Sequence, residues 1–553
     1  MTTKPESRLK GLEKERLDII VIGGGVIGSG IANDAAGRGL RVALFEKDDY
    51  ASGTSSRATR LVHGGLRYLE MLDFGLVRQD LKEREILLRN APHLVNPLPF
   101  LVPMYERSLF YQVKLRIGMV LYDLLSYDKS LPNHKFYNAA ETLQKEPSLK
   151  AEGLKGSFIY YDGQVPLTER LVMENIIAAQ QKGARCFNHS KVIKALYEGK
   201  NVTGVLVEDE LSGQQIEVKA RLVVNVAGPW LDPLEEKLTG NKSHKVRKTK
   251  GIHFTAPSTT NNALVLFAQK DDRLFFVIPW LGYAWVGTTD TDFDEDLDSV
   301  RATREDVEYL VDSVREVFPK SDWETIYFTN AGVRALVRKE TKAGEDESEV
   351  SRKHAVVDQE KKNGITGMIS VVGGKLTAYR GIAEEATDFA LKKLNLGSKT
   401  HTDKEKLPGA RFEGSFDQFT NRMVEEGTTY GLNESQIKNL TRLYGSRISE
   451  IFELVKANPF LTRPIHPAYP DILAQLKHAV EHEQCLDVCD FMMRRSALFF
   501  TPDQGRKAAQ TISLELAQLL QWDETQRQQA EADYAQELAW TQEWKVGQSL
   551  STK

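Results

Sequence analysis

Leu17 to Lys47 reads LDIIVIGGGVIGSGIANDAAGRGLRVALFEK, and this run decides the fold. Asp18 to Ile22 is a short β-branched run suited to a buried parallel strand. Gly23, Gly25 and Gly28 then form G-x-G-x-x-G, a helical stretch runs to Gly37 or Gly39, and RVALFEK is a second strand ending at Glu46. Each glycine has a physical reason. Gly23 permits a tight turn, Gly25 lets a pyrophosphate approach the backbone, and Gly28 lets the helix pack on the strand. The helix start offers free N–H groups to phosphates. Glu46, eighteen residues after Gly28, is placed to accept from ribose hydroxyls. The glycines alone are a weak signal. Strand, glycines, helix, strand and terminal acid in this order predict a dinucleotide site rather than a bare turn. The spacing does not separate NAD from FAD, and the acid disfavours only a 2′-phosphate.

The chain has 553 residues, enough for about three to four domains. Hydrophobic residues make up 41% and charged residues 27%, so the composition is globular and supports a sizeable core. The net charge of −4 provides no global field for nucleic acid, so any anion site must be a local cluster of cations. Cys186, Cys485 and Cys489 cannot build a disulfide framework, and a reducing cytosolic setting fits them. The opening MTTKPESRLKGLEKERL is charged and has no apolar core of a secretory signal. No run of about 18 apolar residues appears. The nearest approach is YQVKLRIGMVLYDLLSY, Tyr111 to Tyr127, interrupted by Lys114, Arg116 and Asp123. It reads as a packed helix, with a helix lying on a membrane surface as the alternative.

Further along, a helix led by Thr168 runs to about Lys182 and Gly183 ends it. RLVVNVAGPWLD ends a buried strand in Ala227-Gly228-Pro229, where a backbone can approach a ligand, and Asp232 caps a new helix with Pro233 at its first position. From about Lys242 to Phe328, KGIHFTAP, LFFVIPW and YAWVGTTD alternate as strands of a mostly antiparallel sheet, interrupted by the helix TREDVEYLVDSVREVF. Val337 to Lys353 is charged and aperiodic and is expected as a mobile loop. ITGMISVVGGKLTAYRGIAEEATDFALKKL restores strand, double glycine and helix, and beyond about residue 400 the pattern is that of a separate all-α domain. HAVEH, His478 to His482, matches an inverted zinc-peptidase pattern, but the segment reads equally as an amphipathic helix without a third ligand.

The glycine-rich run, TSSRATRLVHGGLRYLE, NVAGPW, VIPW and VGTTD, AGVRAL and GGKLTAYR together resemble the FAD-dependent glycerol-3-phosphate dehydrogenase family over about residues 17 to 395. LAQLKHAVEHEQCLDVCDFMMRRS is similar to that family's C-terminal helical domain. Two departures stand out: the opening 16 residues form an extra polar extension, and Ala335 stands where a proline is usual. The resemblance implies an α/β chain: a Rossmann-like FAD-binding domain of the glutathione-reductase/D-amino-acid-oxidase type, an inserted antiparallel-sheet substrate domain, and a C-terminal all-α domain. The expected boundaries are 17–100, 156–240 and 356–398 for the FAD-binding domain. The others are 101–155 for a cap insertion, 241–355 for the substrate sheet and 399–553 for the helical domain.

That resemblance further implies oxidation of sn-glycerol 3-phosphate to dihydroxyacetone phosphate by hydride transfer to FAD, with electrons passed to a membrane quinone. The expected setting is the cytoplasm with peripheral contact to the cytoplasmic membrane. A homodimer is allowed; nucleic acid is not a partner.

The substrate phosphate is a near-dianion, which arginine holds bidentately better than lysine does. Arg67, Arg334 and Arg352 sit on separate segments that the resemblance implies are brought together, which makes them the expected clamp, with Tyr68 as a donor to substrate and His63 as general base, since a base works best near the operating pH. Gly64 and Gly65 are expected to let that loop pass beneath the flavin ring. Lys375 either stabilises negative charge on the reduced ring or touches the substrate. Gly23, Gly25, Gly28, Glu46 and Lys47 are the expected ribose and pyrophosphate contacts. Thr54, Ser55, Ser56, Val192, Ala227, Gly228 and Trp230 are further FAD contacts, as are Gly332, Gly374, Lys375, Leu376 and Thr377. No metal is expected. Lys250 and His253 border the substrate pocket on one reading and form a plain strand end on the other. Competing readings are an oxidase using O2, an amino-acid oxidase of the same flavin superfamily, a non-catalytic flavin-bound scaffold and a plain NAD dehydrogenase. Three candidate arginines argue against the amino-acid oxidase, which needs one carboxylate clamp.

Overall fold

The structure, a computed structural model, describes residues 7–69, 72–105, 109–338 and 354–546. Its first sheet is built on β1 (Arg16–Ile22), whose residues after Arg16 are all buried, as a strand covered on both faces requires. β1 pairs parallel with Gln214–Asn225 on one side and with β2 (Val42–Phe45) on the other. The main path continues to Met368–Val372 and Ala355–Asp358 at one end and to Arg185–Phe187 at the other. Only the edge strand Ala355–Asp358 runs antiparallel on that path.

The helix α1 (Val26–Gly37) connects β1 to β2 and shares one apolar cluster with helices Thr168–Gln181 and Tyr379–Leu394. On the opposite face Leu9 and Leu12 are fully buried against β1 and Gln214–Asn225. The opening segment expected as a polar extension is therefore folded from Ser7. Two leucines three apart supply its reason, because they cover apolar strand residues that would otherwise face water.

The second sheet has ten strands, and all its pairings are antiparallel except Ala263–Phe267 with Asn96–Met104. It reaches beyond the span 241–355 expected for it. Leu61–Val62, Asn96–Met104, Lys135–Asn138 and Gly156–Gln164 belong to it as well. Asn96–Met104 was hidden by Pro97, Pro99 and Pro103. Prolines separated by even numbers of positions remove N–H groups from one edge of a strand only, so pairing along the other edge survives.

The C-terminal helices do not form a separate core. Trp280, Trp285 and Phe328 of the second sheet lie in one apolar cluster with Phe499, Phe500 and the helical residues around them. Phe500 meets the Trp280 ring edge-on at 5.1 Å, and Phe499 lies 5.8 Å from Phe328. Large aromatic rings on that face of the sheet need cover, and the helices supply it. Residues 339–353, which hold most of the expected mobile loop, lie outside the described residues.

Candidate active site

The turn between β1 and α1 has the backbone its glycines predict. Gly23 has φ of +117°, and a Cβ there would lie 2.8 Å from the Val226 carbonyl oxygen. A Cβ on Gly28 would lie 1.9 Å from the Gly23 carbonyl oxygen, so any side chain would push the helix off the strand. Gly25 precedes α1 in extended conformation and offers no side-chain cap. The Val26 N–H instead donates to Ser55 Oγ at 2.9 Å. A helix start without a cap from its own N-cap residue, beside the Ser55 hydroxyl, has the character of a phosphate site.

Glu46 closes the turn. Its Oε2 accepts from Gly24 N–H at 2.6 Å and its Oε1 from Asp48 N–H at 3.0 Å. Burial, with Asp48 nearby, pushes its carboxyl up to about 7. Beside it Lys47 Nζ pairs with Asp298 at 2.7 Å and lies 5.0 Å over the Trp230 ring. Trp230 Nε1 donates to the same Asp298 carboxylate at 3.0 Å.

The strand Met368–Val372 delivers Gly373, Gly374 and Lys375 to the opposite wall. Gly374 has φ of +121°, and a Cβ there would lie 2.7 Å from Ile27 of α1. Lys375 Nζ pairs with Asp80 Oδ2 at 2.7 Å. Asp80 is wholly buried, and that burial, opposed by Lys375, pushes its carboxyl up to about 6. Thr377 joins this wall to the HGG loop: its hydroxyl accepts from His63 N–H at 3.1 Å and donates to the His63 carbonyl at 3.4 Å.

These elements enclose a cleft of about 700 Å³ between the two sheets. Every predicted cofactor contact lines it except Ser56. The Ser56 hydroxyl donates to the Gly53 carbonyl at 3.1 Å, inside its own 3-10 turn (Thr54–Arg57). Adjacent residues in such a tight turn point in different directions, so Ser55 faces the cleft and Ser56 does not. Thr54 lines the cleft while its hydroxyl donates to the Val333 carbonyl at 2.6 Å. The glycine cradle, the bare helix start and Glu46 together fit a dinucleotide.

The same cleft is lined by His63, His253, Arg334 and Lys375. Arg334, on the strand Phe328–Val337, donates from Nη2 to Thr288 Oγ1 at 2.7 Å and to the Thr289 carbonyl at 2.9 Å, and pairs through Nη1 with Asp290 at 3.0 Å. Gly251 gives that guanidinium its room, since a Cβ there would lie 2.2 Å from Arg334 Nη2. The His253 ring stacks on Trp285 at 4.8 Å, its Nε2 is 3.0 Å from Thr59 Oγ1, and its Nδ1 is buried without a hydrogen-bond partner among the described residues. Burial, reinforced by Arg334 and Arg60, holds its pKa well below 6.5, so the ring is neutral. The His63 ring sits edge-on to Phe276 at 6.4 Å.

Other expectations fare differently. Gly64 is packed against the core, where a Cβ would lie 2.5 Å from Leu81, while Gly65 lines the cleft at φ +69°. Lys250 pairs with Asp306 at 2.6 Å and does not line the cleft. Arg67 and Tyr68 lie in the helical turn Leu66–Leu69, but their side chains fall outside the described residues, as does all of Arg352. His478 of the zinc-like pattern is buried 2.6 Å from Glu450, its ring tilted 4.9 Å from that of the exposed His482. Sequence reasoning missed Arg57, Arg60, Arg273 and the Thr288–Asp290 corner, all in the lining. The polar GTTD after an apolar strand was the available signal for the last of these.

Comparison with known proteins agrees in extent and kind. A family model described as FAD dependent oxidoreductase matches residues 18–380, and one described as C-terminal domain of alpha-glycerophosphate oxidase matches residues 400–527. A glycerol-3-phosphate dehydrogenase of Synechocystis sp. is 38% identical over 93% of this chain and 95% of its own. An aerobic glycerol-3-phosphate dehydrogenase of Staphylococcus haemolyticus is 36% identical over 94% of this chain and 93% of its own. The crystal structure of the glycerol-3-phosphate dehydrogenase from Bacillus halodurans complexed with FAD superposes with a TM-score of 0.79 at 30% identity, covering 98% of this chain and 97% of that one.

Proposed function

This chain belongs to the FAD-dependent oxidoreductase family and, within it, to the glycerol-3-phosphate dehydrogenases, and from that premise we propose how its residues divide the work. It binds FAD and oxidises glycerol 3-phosphate. Bound FAD supplies the two-electron acceptor for that oxidation. The Gly23–Gly28 turn and the start of α1 hold the pyrophosphate, and Glu46 accepts from the ribose. Arg334 takes the substrate phosphate, with Arg67, Tyr68 and Arg352 completing the clamp. Lys375, anchored on Asp80, adds a fixed positive charge at the reacting end.

His63 is the proposed base for the C2 hydroxyl proton. One observation favours a second reading, in which His253 takes that role: its buried Nδ1 lacks a partner among the described residues, although burial and the nearby Arg334 and Arg60 lower its pKa and weaken it as a base. The observation that carries the whole assignment is the single cleft in which the dinucleotide cradle meets Arg334, Lys375 and both histidines. Anaerobic glycerol 3-phosphate added to the yellow protein should bleach the flavin absorbance, with the rate strongly reduced in Arg334→Ala and in whichever histidine variant removes the base. Full-rate bleaching in Arg334→Ala and in both histidine variants would sink the site assignment.

The reading extends to a membrane quinone as acceptor, to peripheral contact with the cytoplasmic membrane, and to a homodimer. Membrane contact is supported by the helix Leu109–Leu125. Val113, Ile117, Val120 and Leu124 on that helix, with Tyr127 just beyond it, are all exposed at three- and four-residue spacing on one face. Lys114 and Arg116 are exposed beside them, where anionic headgroups would meet them. Among the described residues no helix is long and apolar enough to cross a membrane. Peroxide released in step with substrate, and no reduction of a soluble quinone, would replace the quinone by O2. Sedimentation velocity tests the dimer.

A further inference from the structure

We infer that the C-terminal helical segment is a clamp on the cofactor-binding loop, acting through Arg494 and Arg495 on Asp49. Asp49 lies between two stretches that line the cleft, Glu46–Asp48 and Ser52–Ser55. Its side chain is wholly buried. Arg494 Nε donates to Asp49 Oδ2 at 2.5 Å, and Arg495 donates through Nη1 to Oδ2 at 2.7 Å and through Nη2 to Oδ1 at 2.8 Å. Asn188 Nδ2 adds a fourth donor at 2.7 Å. A carboxylate taken out of water needs every lone pair met, and here two guanidinium groups from the far end of the chain do most of it.

The arginines are themselves fixed from the helical side. Arg495 donates twice to the Glu483 carbonyl, at 2.8 and 3.1 Å, and Arg494 pairs with Asp490 at 2.9 Å. Next to Asp49, the Tyr50 hydroxyl donates to Gln484 Oε1 at 3.2 Å, and Gln484 Nε2 donates to the Cys186 carbonyl at 2.8 Å. The held loop then bears directly on the glycine turn. Ala51 N–H donates to the Gly24 carbonyl at 3.1 Å, and a Cβ on Gly24 would lie 2.9 Å from the Tyr50 ring and 2.8 Å from Glu46 Cβ. With no slack between Tyr50, Gly24 and Glu46, a shift of Asp49 is passed to the ribose acceptor and the phosphate turn. Arg494 and Arg495 are thus positioning residues for FAD and touch neither substrate nor cofactor.

The inference rests on the FAD site described above and reaches beyond it to the role of the helical segment. Arg447 supplies the control. It is buried at the same junction, pairing with Glu483 at 3.0 Å and Glu174 at 3.5 Å, but does not touch the cofactor loop. FAD release from the full-length holoenzyme is followed by recovery of flavin fluorescence. Arg495→Lys should release FAD at least tenfold faster, and Asp49→Asn likewise, with substrate KM at saturating FAD within twofold of wild type. Arg447→Lys should release FAD at the wild-type rate. Coupling between two sites is reciprocal, so FAD binding should slow amide exchange at residues 488–496 of the wild-type chain. That arm decides the matter alone if Arg495→Lys does not fold. Equal acceleration in Arg495→Lys and Arg447→Lys, or exchange at 488–496 indifferent to FAD, would overturn the inference.

Discussion

Lys375 Nζ lies 2.7 Å from the carboxylate of Asp80, which has no exposure to solvent. The pair joins a cleft-wall loop to a side chain 295 residues earlier. Asp80→Asn should lower kcat/KM by about tenfold to a hundredfold while FAD stays bound, because the cation loses its anchor. In wild type the Asp80 carboxyl titrates near 6, so kcat/KM should fall as pH drops through that value, and the Asn variant should show the low value throughout. A pH–rate profile of the two proteins checks this; an unchanged acid limb in the variant removes Asp80 from the explanation.

Glu46 has its carboxyl pushed up to about 7, above its ordinary value near 4.5. Ribose hydroxyls donate to the ionised form, so bound FAD favours loss of the proton. Free protein holds that proton below about 7, and FAD binding must expel it. FAD affinity should therefore weaken toward acid, by up to tenfold per pH unit below about 7, and level off above it. Titration of apoprotein with FAD at several pH values tests the slope, and Glu46→Gln should bind weakly without it.

Gly251 lies under the Arg334 guanidinium, where a Cβ would sit 2.2 Å from Nη2. Gly251→Ala should raise the substrate KM at least tenfold through displacement of that group, with the flavin spectrum unchanged. Gly118, where a Cβ would meet nothing within 4 Å, is the matched control and its Ala variant should behave as wild type. Steady-state kinetics with FAD content measured alongside distinguishes the two.

The exposed stripe on Leu109–Leu125 should carry membrane contact. Burying one such side chain contributes about 1–2 kcal/mol at the partial depth a surface helix reaches. Ile117→Glu with Leu124→Glu should weaken sedimentation with anionic phospholipid vesicles at least tenfold and leave activity with a soluble dye acceptor intact. Unchanged vesicle binding would move the contact elsewhere.

The nucleotide half was legible because its signals are local. Gly23 through Glu46 complete turn, helix, strand and acid within one short run, and Gly28 answers a steric demand made by Gly23 itself, although the demand on Gly23 comes from Val226, far along the chain. Ser56 is absent from the cleft lining, and composition does not set which way a residue faces in a 3-10 turn. The strand Asn96–Met104 was obscured by prolines that only its pairing edge makes tolerable. Lys375 with Asp80 and Arg495 with Asp49 are pairings across 295 and 446 residues, and no periodicity or spacing announces them. The neutrality of His253 likewise depends on Trp285, Arg60 and Arg334 arriving from separate strands and loops.

The ring column from Phe500 through Trp280 and Trp285 to His253 has an optical consequence. A protonated imidazole quenches an indole stacked on it, whereas a neutral one does so weakly. The share of emission lost in Trp285→Phe therefore reports the charge on His253, apart from the chain's other tryptophans. Followed in a stopped-flow instrument alongside the flavin band, that share should drop if a proton reaches the ring and hold steady if burial and Arg334 keep it neutral.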